Sequence, residues 1–206
     1  MNQYEKDIMN GTPDSQAFPG YKDKESVRSL KICQQTIDIM DRTIADNINN
    51  VVEKSDELWI LGDFCWAKVF NQVEKYRDKI NCQNIHLVRG NHDYFSNREY
   101  LTIFQSVRDY EELEINKTHI VMCHYPLLRW NRSHYGAFML FGHQHGNMNS
   151  WIKEHMSEAK MLDVGVDSHD YKPWSFEDIK TFMTSKKGEG VIAEGSKAEE
   201  RREKCV

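Results

Sequence analysis

The chain has no apolar run approaching the 18 or so residues that a membrane-spanning helix requires. Met1 to Gly11 is polar and charged where a secretory signal carries an apolar stretch. Cysteine is sparse and badly placed for cross-linking: Cys33, Cys65, Cys82, Cys123 and Cys205 form no C-x-x-C pair, and an odd count suits a disulfide framework poorly. The cysteines read as reduced thiols of a cytoplasmic protein, with no membrane attachment. A large excess of one charge is also missing, since 27 Lys+Arg stand against 32 Asp+Glu for a net −5. That balance excludes the sequence-independent phosphate affinity of a general nucleic-acid binder. With 4 prolines, 11 glycines and 39% hydrophobic residues among 206, the collagenous and wholly disordered classes fall away too. What is left is one globular domain with enough chain for a single core.

Three regions follow from patterning. Residues 1–33 are rich in Asp, Lys, Gly, Ser and Pro without a sustained apolar period, and read as a loop-rich leader. Residues 34–184 carry the ordered pattern. Residues 185–206 hold Lys, Arg and Glu among Gly and Ala, and read as a charged, disordered tail. From Gln34 to Val52 the positions Ile37, Met40, Ile44, Ile48, Val51 and Val52 recur at spacings of three and four, the stripe of an amphipathic helix. Glu57 to Leu61 reads as a short buried strand, Trp66 to Ile80 as a helix, and Ile85 to Val88 as a second strand, which together predict a parallel βαβ unit. A helix is expected around Glu99 to Phe104. Tyr110 to Ile115 and Thr118 to Cys123 flank Asn116-Lys117, a two-residue hairpin connection. Phe138 to Phe141 and Leu162 to Val166 are further strand candidates, and Ser175 to Asp178 resembles a capping box opening a last helix.

Four of these apolar strands end in side chains that ligate metals: Asp63; Asn91-His92-Asp93; His124; and His143-Gln144-His145. In open α/β sheets sites lie at the carboxyl ends of strands, so the four clusters are expected to converge. His143 and His145 are two apart, which in extended backbone puts both rings on one side. The mixed nitrogen and oxygen donors suit Mn, Fe, Zn or Ni better than an all-oxygen calcium cage or a thiolate zinc site.

At these residues the chain resembles the calcineurin-like metallophosphoesterases, whose signature runs D-x-H, G-D, G-N-H-D/E, a lone His, and G-H-x-H. The counterparts are Gly62-Asp63, Gly90-Asn91-His92-Asp93, His124 in His-Tyr-Pro, and Gly142-His143-Gln144-His145, in order from about Asp41 to Pro173. The His-Tyr-Pro before Trp130, and the run ending in Gly165-Val166-Asp167, look most like the small bacterial and phage members. The resemblance implies an α/β fold, a two-sheet sandwich flanked by helices, and a metal-dependent phosphoesterase acting on a small phosphate ester or nucleotide. It implies that Asp63 bridges two cations, Mn foremost, that Asn91, His124 and His143 complete one shell, and that His145 ligates the second. It makes His92 the proton donor to the leaving oxygen and gives Asp93 the task of fixing the surrounding geometry.

One element has no counterpart: D-x-H, for the first histidine is His86 and no apolar strand precedes Gln34. Three explanations stand open: a chain that starts downstream of its native start, a site reduced to one firm metal position and one weak one, or ligands drawn from elsewhere. The competing functional class is a non-catalytic binding scaffold on the same fold. His86, His119, His134, His155 and His169 lack a motif and read as structural or surface residues. Arg129 and Arg132 flank Trp130 and read either as phosphate contacts or as a solvated loop with an aromatic anchor. Asp163 and Asp167 read as a strand end and turn, with hydrogen bonds behind the ligating residues as the alternative.

Overall fold

The computed structural model describes residues 34–186; the leader at 1–33, the tail from 187, Cys33 and Cys205 lie outside the described residues. The elements in chain order are α1 (Gln34–Val51), β1 (Glu57–Ile60), α2 (Phe70–Arg77), β2 (Asn84–Val88), α3 (Asn97–Tyr100) and β3 (Ser106–Arg108). They continue with β4 (Tyr110–Ile115), β5 (Thr118–Cys123), β6 (Phe138–Phe141), α4 (Asn149–His155), β7 (Met161–Asp163) and α5 (Phe176–Thr184), with short 3-10 turns at Ser133–Tyr135 and Val166–Ser168. No helix among the described residues is long and apolar enough to cross a membrane.

Two sheets form. The first is all parallel in the order β1-β2-β3, with Leu58 opposite Ile85 and Leu87 opposite Val107. The second runs β4-β5-β6-β7; β4 and β5 are antiparallel, and β5, β6 and β7 are parallel. Period-two alternation sorts the second sheet's side chains between two cores. Ile120, Met122, Phe138, Leu140 and Leu162 face inward against Leu61, Val88 and Trp59 of the first sheet, with Ile179 and Met183 of α5. Val121, Met139, Phe141 and Met161 face outward against Ile152 and Met156. On the far side of the first sheet, Ile48 of α1 and Val73 of α2 pack on Leu58, Ile85, Leu87 and Val107. The layers are therefore helix, sheet, sheet, helix, the sandwich expected from the sequence.

The hairpin turns where expected: Asn116 and Lys117 have φ of 50° and 65°, the paired left-handed conformation that matches strand twist. Other expectations need correction. Trp66 is not in a helix, because α2 begins only at Phe70 and the stretch before it is irregular. The helix near Glu99 is shorter than its apolar spacing suggests, since the chain must turn to place Gln105 N on the Ile85 carbonyl and start β3. The last strand stops at Asp163, whose carboxylate reaches forward to the Gly165 N–H and turns the chain. At Ser175 the box is half made: Ser175 Oγ accepts from Asp178 N at 3.1 Å, but the Asp178 carboxylate meets that hydroxyl and not the Ser175 backbone. Aspartate is one methylene shorter than the usual partner. The complete box is at Ser96 and Glu99, where both reciprocal bonds are present.

Leu87 is fully buried at the centre of the first sheet, whereas Leu128 is 66% exposed. In urea titrations, Leu87→Ala is expected to cost about 2–5 kcal/mol and Leu128→Ala no more than about 0.5 kcal/mol. Equal costs would contradict the core described here.

Candidate metal centre

Asp63 follows β1, Asn91 to Asp93 follow β2, His124 follows β5 and His143 follows β6. All four strands deliver their chemistry from the same end. Two glycines make the approach possible. Gly62 has φ +89°, and a Cβ there would lie 2.3 Å from His124 Nδ1 and 2.7 Å from Gly90 Cα. A Cβ on Gly90 would lie 2.2 Å from Asp63 Oδ1 and 2.8 Å from His124 Cε1. Backbone here is packed against backbone and against two functional side chains, which only glycine permits.

The turns are pinned by Asp93. Its carboxylate is 3% exposed and accepts from Asp63 N at 2.9 Å, Phe64 N at 3.1 Å and Gly90 N at 2.8 Å. Burial pushes the Asp93 carboxyl above its ordinary range, and the three amides pull against that rise. Arg89 closes the same loop from outside, donating from Nη2 to the Asp93 and Phe95 carbonyls. The His92 backbone N–H donates to Asp63 Oδ1 at 2.8 Å, so one oxygen of Asp63 is held and Oδ2 is turned inward.

His124 is the centre of the cluster and is 1% exposed. Its Nδ1 lies 2.7 Å from the Leu61 carbonyl, which can only accept, so Nδ1 carries the proton and Nε2 presents a lone pair. Around Nε2 lie Asn91 Oδ1 at 3.0 Å, His143 Nδ1 at 3.2 Å and Asp63 Oδ2 at 3.4 Å. Ligand atoms of Asp63, His124 and His143 all fall within 4.8 Å of one another. Burial pushes the His143 imidazole below its ordinary value, and the neighbouring His124 pushes it the same way. A neutral ring is the form that ligates. Electron pairs aimed at one point, with the second nitrogen of His124 tied to a backbone carbonyl, are what a divalent cation requires of its donors. The residues fit the cation that the spacing suggests.

The G-H-x-H turn departs from the extended geometry expected of it. His143 and His145 have φ of 67° and 49°, left-handed conformations that cost roughly 1–3 kcal/mol each and collect at functional sites. His145 does not join the Asp63, His124 and His143 group; its Nδ1 meets Asp167 Oδ2, and its ring is 64% exposed. Asp163 holds this turn, accepting from Gly146 N and Gly165 N at 2.9 Å each. Of the two readings the sequence offered for these carboxylates, the structure has Asp163 bonding the turn and Asp167 bonding His145. Three aromatic side chains carried no motif: Trp66 packs tilted against His92, Tyr94 bonds it, and Tyr125 makes T-shaped contacts with His124 and His143. Trp130 is buried and donates to the Ala137 carbonyl, the anchor of its loop. Of the motif-free histidines, His86 bonds Ser106 and Glu57, His119 bonds Glu112, and His169 stacks on Trp174.

A family model described as the calcineurin-like phosphoesterase superfamily domain matches residues 40–163. The uncharacterized protein MJ1445 of Methanocaldococcus jannaschii is 27% identical over 155 residues, which cover 73% of this chain and 80% of its own. A crystal structure of the protein of unknown function AQ665 from Aquifex aeolicus superposes with a TM-score of 0.57 at 24% identity, covering 77% of this chain and 90% of that one.

Gly90→Ala is expected to push Asp63 and His124 apart. Titration of the metal-free variant with Mn should show affinity reduced by about tenfold or more with circular dichroism unchanged. Wild-type affinity in the variant would refute the glycine packing as the basis of the centre.

Proposed function

The chain belongs to the calcineurin-like phosphoesterase superfamily, and from that premise we propose that it hydrolyses a phosphate mono- or diester, a small ester or a nucleotide, by means of a metal-activated water. The observation that carries this reading is the convergence of Asp63 Oδ2, Asn91 Oδ1 and His143 Nδ1 around His124 Nε2. Asp63, Asn91, His124 and His143 would hold the firm cation, with Mn first among Mn, Fe, Zn and Ni, and Asp63 and His145 would supply a weaker second position. When bound, such cations polarise the phosphoryl oxygens and make water a competent nucleophile near neutral pH.

The remaining work falls to the chain's own residues. His92 follows a ligand without joining the donor set, and its backbone bond to Asp63 Oδ1 fixes it beside the centre. It gives a proton to the leaving oxygen as the phosphorus–oxygen bond breaks. The Asp93 carboxylate accepts from backbone amides and serves by holding Asp63 and Gly90 in place. Asp167 orients His145 for the second cation, the part played by a carboxylate behind a ligating imidazole. The free thiols of Cys65, Cys82 and Cys123 fit a cytoplasmic setting for this reaction.

A non-catalytic scaffold on the same fold is the second reading. The two separate on one experiment. Supplied with Mn, the wild-type chain should hydrolyse aryl phosphate mono- or diesters, and His92→Ala should lower turnover by about 10²–10⁴-fold on an alkyl ester. The loss should be smaller on an aryl ester, whose leaving group needs less protonation, and metal content should not change. A folded, metallated wild type inactive on every ester would leave the scaffold.

A further inference from the structure

His92 is held by two side chains that belong to none of the three cores. Trp66 lies with its ring centroid 3.8 Å from that of His92, inclined by 32°, and is 65% exposed. Tyr94 meets the imidazole edge-on, with its hydroxyl hydrogen-bonded to His92 Nδ1, and is 56% exposed. Two large aromatics left this open to water gain little from burial, so core packing does not account for where they stand. What they share is contact with one imidazole. Trp66 covers one face of the ring, and Tyr94 occupies one of its two nitrogens. Nε2 is then the only ring nitrogen open to a substrate.

We propose that Trp66 and Tyr94 form a clamp that fixes the His92 ring with Nε2 toward the phosphoester, Tyr94 being a positioning residue that acts through His92. The proposal rests on the phosphoesterase reading for its catalytic consequence, and on geometry alone for the clamp. In the step it serves, a water oxygen bonds to phosphorus and the bond from phosphorus to the leaving oxygen breaks. The leaving oxygen keeps the electron pair and takes the proton from Nε2, Nδ1–H stays hydrogen-bonded to the Tyr94 hydroxyl, and the attacking water's proton passes to solvent, from which Nε2 is reprotonated. An imidazole free to rotate would offer either nitrogen and spend part of its time misdirected, which lowers turnover without altering substrate affinity.

Tyr94→Phe keeps the exposed ring and removes only the hydroxyl. With the metallated protein and an alkyl phosphate ester, it should lower kcat by about tenfold, a part of what general acid help is worth, with KM and Mn content unchanged. On an aryl ester the loss should be smaller. In a His92→Ala background the same change should have no further effect, because a residue that acts only through His92 has nothing left to position. An equal loss in both backgrounds, or no loss in either, would overturn the proposal. Nitrogen-15 NMR of His92 gives a readout independent of activity: the Nδ1 resonance should move in Tyr94→Phe, and an unmoved resonance would overturn the clamp. If the metallated wild type hydrolyses no ester while that resonance still moves, the phosphoesterase reading fails and the clamp is upheld.

Discussion

The Asp93 carboxylate, shut away from water and bonded to the amides of Asp63, Phe64 and Gly90, is the contact on which the rest of the site depends. It ties the turn after β1 to the turn after β2 at a point where Gly62 and Gly90 approach too closely for any side chain. A buried carboxylate is costly unless its lone pairs are met, and three N–H groups meet them here. The stabilisation is spent on shape, because it sets Asp63 Oδ2 opposite His124 Nε2. From the other sheet, His124 is held through its Nδ1 bond to the Leu61 carbonyl, which crosses from the end of β5 to the end of β1. The two sheets are thus joined at the centre itself by the His124 side chain, and the candidate site and the sandwich share one set of contacts.

A second carboxylate repeats the device. Asp163 at the end of β7 accepts from Gly146 and Gly165 amides and fixes the turn that carries His143 and His145, both in left-handed backbone. The turns after β1 and β6 both carry left-handed backbone, and each is held by a buried acid from another strand end. Rigid support of this kind is what lets donor atoms stay aimed at one point before any ligand arrives.

Much of this was legible in the sequence, and the parts that were not share a cause. The clusters at Asp63, Asn91, His124 and His143 stood out because each apolar strand halts at a polar residue of ligand type, a local signal. The hairpin at Asn116-Lys117 and the helix from Gln34 were local as well. β3 escaped because three residues, Ser-Val-Arg, carry no period, and Trp66 was drawn into a helix by spacing that its neighbours share by accident. The grip of Asp93 on the Asp63 amide spans 30 residues and the pairing of His145 with Asp167 spans 22, and neither leaves a mark on the local pattern. The left-handed backbone at His143 and His145 is likewise set by tertiary contact, since neither residue type demands it.

The central claim is that Asp63, Asn91, His124 and His143 aim their donors at one divalent cation. Anomalous diffraction from crystals of the wild-type chain soaked in Mn measures it directly. The account predicts a dominant peak within bonding distance of Asp63 Oδ2, Asn91 Oδ1, His124 Nε2 and a ring nitrogen of His143. A weaker peak, if present, should lie beside His145. A dominant peak at His145 and Asp167, or none at His124, would contradict it.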